Sequence, residues 1–403
     1  MKRPLIYPVF LPQQGCPHRC VYCNQHAVTG LPERDPWQAV RDALRWVARH
    51  GRKALESHRP GEIAFYGGTF TALEDESLRV LLGEAGMWTK RGAFTGIRFS
   101  TRPDALGDTV LSVLSDYPVR TVEIGAQSLD DAVLEASGRG HDGACVSDAC
   151  RRVRSRHWRL GLQLMVGLPE ETEARWRESV LRAVDLGPHF VRIYPALVLF
   201  GTALAKWYRR GRYRPLGLEE AVERCAWAAD QLDAAGIPIA RMGLHPDPAL
   251  DAPGAVLAGP RHPAFGYLVR SRQWRRRVDA ALVRWGASPG RPPGEIPIGW
   301  SHNQPRELLK RACLIVKAPL RRMSEVIGPG RSNVIYWKDR WGFSDVRAEC
   351  GRDLEVVVRK LDKCERKARK GPVGRKVVEP LTTDPCIPRD VDPETLNSNL
   401  PQC

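Results

Sequence analysis

Three cysteines near the start of the chain are the residues best suited to chemistry. Cys16, Cys20 and Cys23 follow an apolar run at residues 5–11 with the spacing C-x3-C-x2-C. A cysteine thiolate is a soft ligand that suits zinc or an iron–sulfur cluster. Three thiolates on one short loop can hold three corners of a cubane cluster and leave the fourth iron open to a small molecule.

A structural zinc site is the alternative interpretation of this loop, with His18 or His26 as the fourth ligand. The sequence contains no second C-x2-C or H-x3-H pair that would complete such a site. The other cysteines lack the regular spacing of a disulfide framework, and we find neither a signal peptide nor an apolar run long enough to span a membrane. These features predict a reducing, cytoplasmic environment.

The elements that must position the cysteines alternate between strands and helices over residues 1–245. Amphipathic segments separate six apolar or β-branched runs, which we predict to be strands: residues 5–11, 62–66, 96–101, 121–125, 160–166 and 190–198. Strands separated by helices indicate βαβ units and a parallel sheet. The predicted fold is therefore α/β, a partial (β/α)6 barrel of the TIM-like kind, in which ligands bind at the C-terminal ends of the strands.

Polar and glycine residues follow these predicted strands, where a barrel would bind its ligand. The candidates are Gly67, Gly68, Thr69, Arg102, Gln127 and Gln163. Paired glycines allow a ligand to approach the backbone closely, although after a strand they commonly form only a tight turn. Each polar residue alone is more typical of packing or capping, but together they predict one site beside the cysteine loop.

The cysteine spacing, with Tyr22 before the last cysteine, resembles the radical S-adenosylmethionine (SAM) superfamily. Further blocks resemble, more narrowly, the radical SAM domain of the catalytic Elongator subunit and its bacterial relatives. These blocks are GGTF at 67–70, TRPD at 101–104, EIGAQS at 123–128, IYPALV at 193–198, GT at 201–202, RMGL at 241–244 and AGPRHPAFG at 258–266. The resemblance covers residues 1 to about 275, and no acetyltransferase domain is recognisable after it.

The resemblance implies that Cys16, Cys20 and Cys23 hold a [4Fe-4S] cluster whose open iron takes the amino and carboxylate groups of SAM. Reduction by an electron donor such as flavodoxin or ferredoxin would cleave SAM to methionine and a 5′-deoxyadenosyl radical. The candidates at the strand ends would hold this cosubstrate. The implied substrate is the wobble uridine of tRNA. Whether acetyl-CoA is used stays open, and an acyltransferase partner would then have to supply that step. The sequence identifies no radical acceptor or general base.

Two other functions stay open at this point. A radical SAM enzyme of the kind found in heme biosynthesis would act on a small molecule instead of RNA. A non-catalytic RNA-binding protein would use the three cysteines for a structural zinc ion, and metal analysis would separate it from both enzymes.

The charge of the chain favours a polyanionic partner. Its 62 lysines and arginines outnumber 46 aspartates and glutamates, which gives a formal net charge of +16. One basic run occupies residues 270–277, where Arg270, Arg272, Trp274, Arg275 and Arg276 are predicted to contact phosphates or stack on a base. A solvated helix face is the competing interpretation.

The C-terminal part of the chain is predicted to hold a second, smaller domain. Residues 1–285 form the predicted radical SAM domain with its extension, and glycine and proline mark a linker at 286–305. Residues 306–360 have the order strand, helix, glycine loop, helix, strand, which resembles a KH-type RNA-binding module. Arg331 stands where the loop of that module has its second glycine, and it is a further predicted phosphate contact. A small structural α/β unit is the alternative. Residues 361–403 are predicted to be a basic, largely disordered tail.

Overall fold

A parallel sheet of seven strands is the main frame of the molecule. The computed structural model describes residues 5–244, 248–284 and 312–360. The strands of the larger part are β1 Ile6–Phe10, β2 Gly61–Tyr66, β3 Phe94–Thr101, β4 Val119–Gln127, β5 Arg159–Val166, β6 Phe190–Pro195, β7 Val198–Leu199, β8 Ile239–Met242 and β9 Val256–Ala258. The sheet has the order β1-β2-β3-β4-β5-β6-β8, with every neighbouring pair parallel, while β7 and β9 form a separate antiparallel pair.

Helices connect these strands, and several begin where the sequence offers a cap. Asp35 accepts a hydrogen bond from the backbone of Gln38 at the start of the second helix, and Thr172 accepts one from the backbone of Arg175 at the start of the seventh. The helices are α1 Gln25–Thr29, α2 Pro36–Glu56, α3 Asp75–Lys90, α4 Asp108–Ser115, α5 Asp131–Ala136, α6 Gly143–Ser155, α7 Glu173–Asp185, α8 Ala203–Arg209, α9 Leu218–Ala234, α10 Pro248–Asp251 and α11 Phe265–Arg284.

The two faces of the sheet differ in polarity because successive residues of a strand point to opposite sides. Ile63, Phe99 and Val122 belong to the outer face, where they are fully buried in the hydrophobic core with the helices. Arg98 and Glu123 belong to the inner face of the curled sheet, where they form an ion pair. The fold is thus an α/β half-barrel with an apolar outside layer and a polar interior.

The six predicted strands are confirmed as parallel neighbours in chain order, but the sixth ends at Pro195, and Val198 begins the separate strand β7. The sheet has one further strand, β8, which pairs with β6 and extends the half-barrel to seven strands. This strand was missed because it has only 4 residues, Ile239–Met242, and two of them are Arg241 and the half-buried Met242. Such a run is too short for a periodic pattern to be recognised.

A smaller sheet follows in the C-terminal part of the described chain. Its strands are β10 Ala312–Ala318, β11 Asp345–Cys350 and β12 Glu355–Lys360, in the order β11-β10-β12, with β10 and β11 parallel. Two helices, α12 Met323–Ile327 and α13 Ser332–Trp341, lie between the first two strands in sequence. The predicted order of strand, helix, glycine loop, helix and strand is confirmed.

Helix α11 contributes to two hydrophobic cores. Phe265 near its start packs in the core of the half-barrel, whereas Trp274 packs with Trp337 and Trp341 of α13 in the core of the smaller sheet. The smaller sheet therefore completes its core with a helix from the preceding part of the chain. The predicted linker at 286–305 and the predicted tail at 361–403 lie outside the described residues.

Within the three described ranges, none of the helices combines the length and apolar character needed to cross a lipid bilayer.

Candidate functional site

The loop that carries Cys16, Cys20 and Cys23 (the cysteine loop) packs against the GGTF loop at 67–70, which follows β2. The backbone amide of Thr69 donates to the carbonyl of Gln14 at 2.9 Å, and the Thr69 hydroxyl lies 3.3 Å from Cys16 Sγ. A Cβ at Gly68 would lie only 2.1 Å from the Gln14 carbonyl oxygen, and one at Gly15 would lie 2.3 Å from that of Thr69. Both positions therefore require glycine, because no side chain fits between the two loops.

Arg139 is a site residue that we did not predict from the sequence. Its guanidinium is buried and donates from Nη1 to Cys20 Sγ at 3.1 Å, while Nη2 donates to the carbonyl of Gly125 within β4. The contact places a buried positive charge directly beside a predicted cluster ligand. The only sequence signal was an arginine between two glycines, Gly138 and Gly140, both of which adopt positive φ.

Arg102 also lies beside the cysteine loop, but its guanidinium is already engaged. It donates to both carboxylate oxygens of Asp104 at 2.9 and 2.7 Å, to the carbonyl of Arg139, and lies 3.2 Å from His18 Nε2. The same His18 nitrogen is 2.9 Å from the carbonyl of Gly138. Arg102 and His18 therefore join the cysteine loop to the segment that carries Arg139.

Several buried side-chain oxygen atoms near the loop have no hydrogen-bond partner in the described part of the chain. They include Oε1 of Gln127, a residue with φ of 70° at the end of β4, Oε1 of Gln13 and Oγ of Ser137. A buried polar atom without a partner costs about 1–3 kcal/mol, so such atoms mark places where a bound group would restore the bond. They are the features expected of a site shaped around a ligand.

The surroundings of Cys16 and Cys23 disfavour the charged thiolate. Burial raises the pKa of Cys16, and burial together with the neighbouring Cys20 raises the pKa of Cys23 to about 12. Metal cations would supply the charge that turns them into thiolates. Among the described residues no three His, Cys, Asp or Glu side chains converge on a single ion. In a cubane cluster each thiolate binds a different iron. The three cysteines can therefore hold such a cluster without converging on a single ion.

Gln163 lies in a polar network inside the half-barrel. Its amide donates to Glu123 at 3.0 Å, and the Tyr66 hydroxyl donates to the same carboxylate at 2.7 Å. Arg98 and Arg192 form ion pairs with Glu123 at 2.9 and 2.7 Å. Burial alone would raise the pKa of Glu123, but the two arginines outweigh it and lower that pKa. The interior therefore holds an ionised carboxylate, and Gln163 is fixed by it.

The arginines of α11 are paired with acids of α9, which the sequence prediction did not foresee. Each of the following pairs joins one arginine of α11 to one carboxylate of α9: Arg270 to Asp233 at 2.9 Å, Arg272 to Glu223 at 2.6 Å, Arg276 to Asp230 at 3.2 Å and Arg277 to Asp233 at 2.9 Å. Arg275 instead donates to Asn333 at 2.9 Å and stacks on the ring of Tyr336. These contacts occupy the groups that were predicted to bind phosphate.

The predicted stacking of Trp274 on a base is corrected by the structure. Its side chain is only 9% exposed, and its indole N–H donates to Glu325 at 3.1 Å. A ring buried in the core of the smaller sheet offers no face to a base. Arg331, by contrast, is exposed in the turn between α12 and α13 with φ of 64°, and its phosphate contact stays a prediction.

Comparisons with known families agree with this geometry. Residues 10–183 match the family model of the Radical SAM superfamily, and residues 188–275 match that of the Radical_SAM C-terminal domain. The chain is a radical SAM protein. Membership of this superfamily implies a [4Fe-4S] cluster and SAM as cofactors, supports an enzymatic role, and disfavours the structural zinc ion.

Several curated proteins are similar to about half of this chain. Protein YhcC of Escherichia coli (strain K12) is 27% identical over 218 residues, which cover 51% of this chain and 68% of that protein. The tRNA uridine(34) acetyltransferase of Dehalococcoides mccartyi (strain CBDB1) is 27% identical over 230 residues, 50% of each chain. The heme chaperone HemW of Bacillus subtilis (strain 168) is 26% identical over 227 residues, 55% of this chain and 59% of that protein.

Among solved structures, the archaeal Elp3 of Methanocaldococcus infernus with an N-terminal deletion has the same fold. The two superpose with a TM-score of 0.52 at 20% identity, over 68% of this chain and 63% of that chain. This radical SAM protein therefore resembles the radical SAM domain of Elp3.

Proposed function

We propose that this chain is a radical SAM enzyme that modifies the wobble uridine of tRNA, with Cys16, Cys20 and Cys23 as cluster ligands. The assignment as a radical SAM enzyme rests on one observation: the cysteine loop contacts both the GGTF loop and Arg139 at the C-terminal ends of the strands. The cluster and SAM would supply a 5′-deoxyadenosyl radical by reductive cleavage of the sulfonium.

The protein's own residues have distinct roles in this proposal. Arg139 places positive charge against Cys20 and holds its loop in position. Gly68 lets the loop after β2 pack directly against the cysteine loop, and Thr69 orients Cys16. The unpartnered oxygen of Gln127 is an acceptor for an N–H or O–H group of SAM.

The tRNA substrate is supported by two observations. Several similar proteins are tRNA uridine(34) acetyltransferases, and the net charge of +16 attracts a polyanion. The proposal covers the radical step, for which an electron donor of the flavodoxin or ferredoxin kind is needed. It does not extend to an acyl transfer.

The similarity to the heme chaperone HemW favours a second candidate, in which the chain binds heme or a related small molecule. Titration of the purified protein with heme tests it directly. Stoichiometric binding with a shifted Soret band, together with unchanged tRNA nucleosides, would replace the first proposal by the second.

Two measurements test the proposed enzyme. After anaerobic reconstitution with iron and sulfide, the protein should show broad visible absorption and should cleave SAM to methionine and 5′-deoxyadenosine under reduction. Cys20→Ala should lose both, and SAM cleavage by this variant would show the mechanism to be wrong. Nucleoside analysis of bulk tRNA from cells with and without the gene should reveal one altered wobble uridine. Identical nucleosides would exclude tRNA as the substrate.

A further inference from the structure

We propose that the exposed surface around α8 binds the backbone and unpaired bases of the RNA substrate beside the cluster site. This α8 surface consists of Phe200, Lys206, Tyr208, Arg209, Arg210 and Arg212, all of them exposed. The inference rests on the proposed function, because it places the docking surface of the same RNA. The sequence prediction did not single out these residues.

The cations of the α8 surface have no acidic partners among the described residues. None of Lys206, Arg209, Arg210 and Arg212 has an ion pair with a carboxylate anywhere in the described part of the chain. An exposed cation without an acid nearby keeps its charge for an external anion. Each phosphate that such a residue neutralises releases counterions from the nucleic acid, and this release drives binding.

Exposed aromatic rings lie among these cations. The side chain of Phe200 is 58% exposed and that of Tyr208 is 38% exposed. The Arg209 guanidinium lies 5.9 Å from the centroid of the Phe200 ring, so a charged group and an aromatic face are presented together. Bases of single-stranded RNA stack on such rings, and arginine adds cation–π and phosphate contacts.

The α8 surface is joined directly to the cysteine loop. The backbone amide of Leu204 donates to the carbonyl of Val21 at 2.8 Å, and the Asn24 side chain donates to the carbonyl of Phe200 at 3.0 Å. Leu204 also packs in one hydrophobic cluster with Cys20. An RNA strand held on this surface would therefore lie next to the loop that carries the predicted cluster ligands.

The far end of the α8 surface is anchored as well. Tyr213 follows the last arginine of the surface, is buried, and donates from its hydroxyl to the carbonyl of Gly167 at 2.5 Å. Gly167 lies directly after β5, at the C-terminal edge of the sheet. The cations are thus held at the same edge as the site, on a segment fixed at both ends.

An acidic electron-donor protein is the other partner that a basic surface near a cluster would attract. The exposed rings of Phe200 and Tyr208 favour RNA over an acidic protein, because aromatic rings beside arginines can stack on bases but not on carboxylates. We therefore assign the surface to RNA and leave the acidic protein as an outcome of the test.

The test compares two variants of the full, cluster-loaded chain that lose the same charges. K206Q/R209Q/R210Q removes one lysine and two arginines from the α8 surface. R49Q/R52Q/K53Q removes the same set from the exposed face of α2, where these residues also lack acidic partners among the described residues. Iron content and visible absorption establish that every protein carries its cluster. Binding of bulk tRNA is measured by fluorescence anisotropy at several salt concentrations.

We expect the α8 variant to bind tRNA at least about tenfold more weakly at low salt, with a salt slope shallower by about 2–3 because three phosphate contacts are lost. The α2 variant should bind like the unmodified protein. R209K/R210K keeps the charges and should stay within about twofold of it. This conservative variant separates lost charge from lost structure.

Three outcomes would overturn the inference, and they are distinguishable. Unchanged affinity and slope in the α8 variant would reject the α8 surface while leaving tRNA as substrate. No tRNA binding by the unmodified protein would reject the RNA part of the proposed function together with it. Unchanged tRNA binding with slower SAM cleavage from reduced flavodoxin, but not from dithionite, would assign the surface to an acidic electron donor.

Discussion

Helices α11 and α8 are both rich in cations, yet their charges are used differently. On α11, Arg270, Arg272, Arg276 and Arg277 pair with four acids of α9. On α8 and the turn after it, the cations face solvent without such partners in the described chain. A run of arginines in a sequence therefore gives the number of charges but not the number that remain available to a ligand.

The difference has a physical basis in burial. These four arginines of α11 are between 16% and 37% exposed, so an external phosphate would have to displace carboxylates from partly buried pairs. Removing one partner from such a pair leaves the other charge poorly solvated. Helix α11 thus contributes to stability, whereas α8 offers charge for binding.

Among the variants that test the difference between α11 and α8, Asn333→Ala should have the largest effect, a loss of stability. Asn333 is fully buried, its amide donates to the carbonyls of Ser271, Glu325 and Val326 at 3.0–3.2 Å, and its oxygen accepts from Arg275. Loss of these bonds should lower the free energy of unfolding by about 3 kcal/mol, because several buried groups lose their partner. Urea denaturation measures it.

Ile335→Ala on the same helix is the control for Asn333→Ala. Ile335 is 53% exposed, so its truncation should change the stability little. If Asn333→Ala weakened tRNA binding without lowering stability, the structural role assigned to α11 would be wrong.

The next largest effect is expected from Phe200→Ala on the α8 surface. The loss of one stacking ring should weaken tRNA binding by about 1–2 kcal/mol and leave the salt slope unchanged, since no charge is removed. Anisotropy titrations at several salt concentrations measure both quantities. Leu181→Ala on α7 removes a similarly exposed apolar side chain and should leave binding unaltered. A shallower slope in Phe200→Ala would show that the ring acts only by placing Arg209.

A smaller effect, on stability alone, is expected from Arg276→Gln. Arg276 pairs with Glu223 and Asp230 of α9 and is about one-third exposed. Because solvent screens part of the interaction, the loss should be about 1 kcal/mol. Thermal or urea unfolding measures it, with Arg49→Gln as the control, because Arg49 has no ion pair among the described residues. A tenfold loss of tRNA affinity in Arg276→Gln would contradict the division between the two helices.

The smallest effect is expected from Tyr213→Phe. This change removes the hydrogen bond to the Gly167 carbonyl and should lower the stability by somewhat less than about 1 kcal/mol. Tyr208→Phe, whose hydroxyl lies in an exposed side chain, should have no effect on unfolding. Equal stability of both variants would mean that the far end of the α8 surface is not anchored by Tyr213.

Local patterns were enough to predict much of the fold. The first six strands of the sheet are long apolar or β-branched runs, and their alternation with helices indicated the parallel sheet. The element order of the smaller sheet also followed from local signals, with Gly328 and Gly330 marking its turn. β8 escaped because a run of 4 residues carries too little periodicity.

The contacts that define the site depend on distant residues, and the sequence does not show them. Arg139 reaches Cys20 across 119 positions, and the acids that neutralise Arg272 lie 49 and 53 positions before it. Residues 206–214 contain basic and aromatic residues as densely as residues 270–277 do. In the described structure, the positions of Glu219, Glu223, Asp230 and Asp233 help to distinguish the two runs.

The way the cysteine loop is locked has a consequence for biosynthesis. Cys16 meets its partner Thr69 across 53 positions, and Cys20 meets Arg139 across 119. At a synthesis rate of roughly 5–20 residues per second, Cys20 leaves the ribosome about 6–24 s before Arg139. During that interval its thiol has no fold around it and is open to oxidants. Iron and sulfide delivered to the nascent chain would therefore find the cysteine loop in contact with Arg139 only after β4 and α5 have been synthesised.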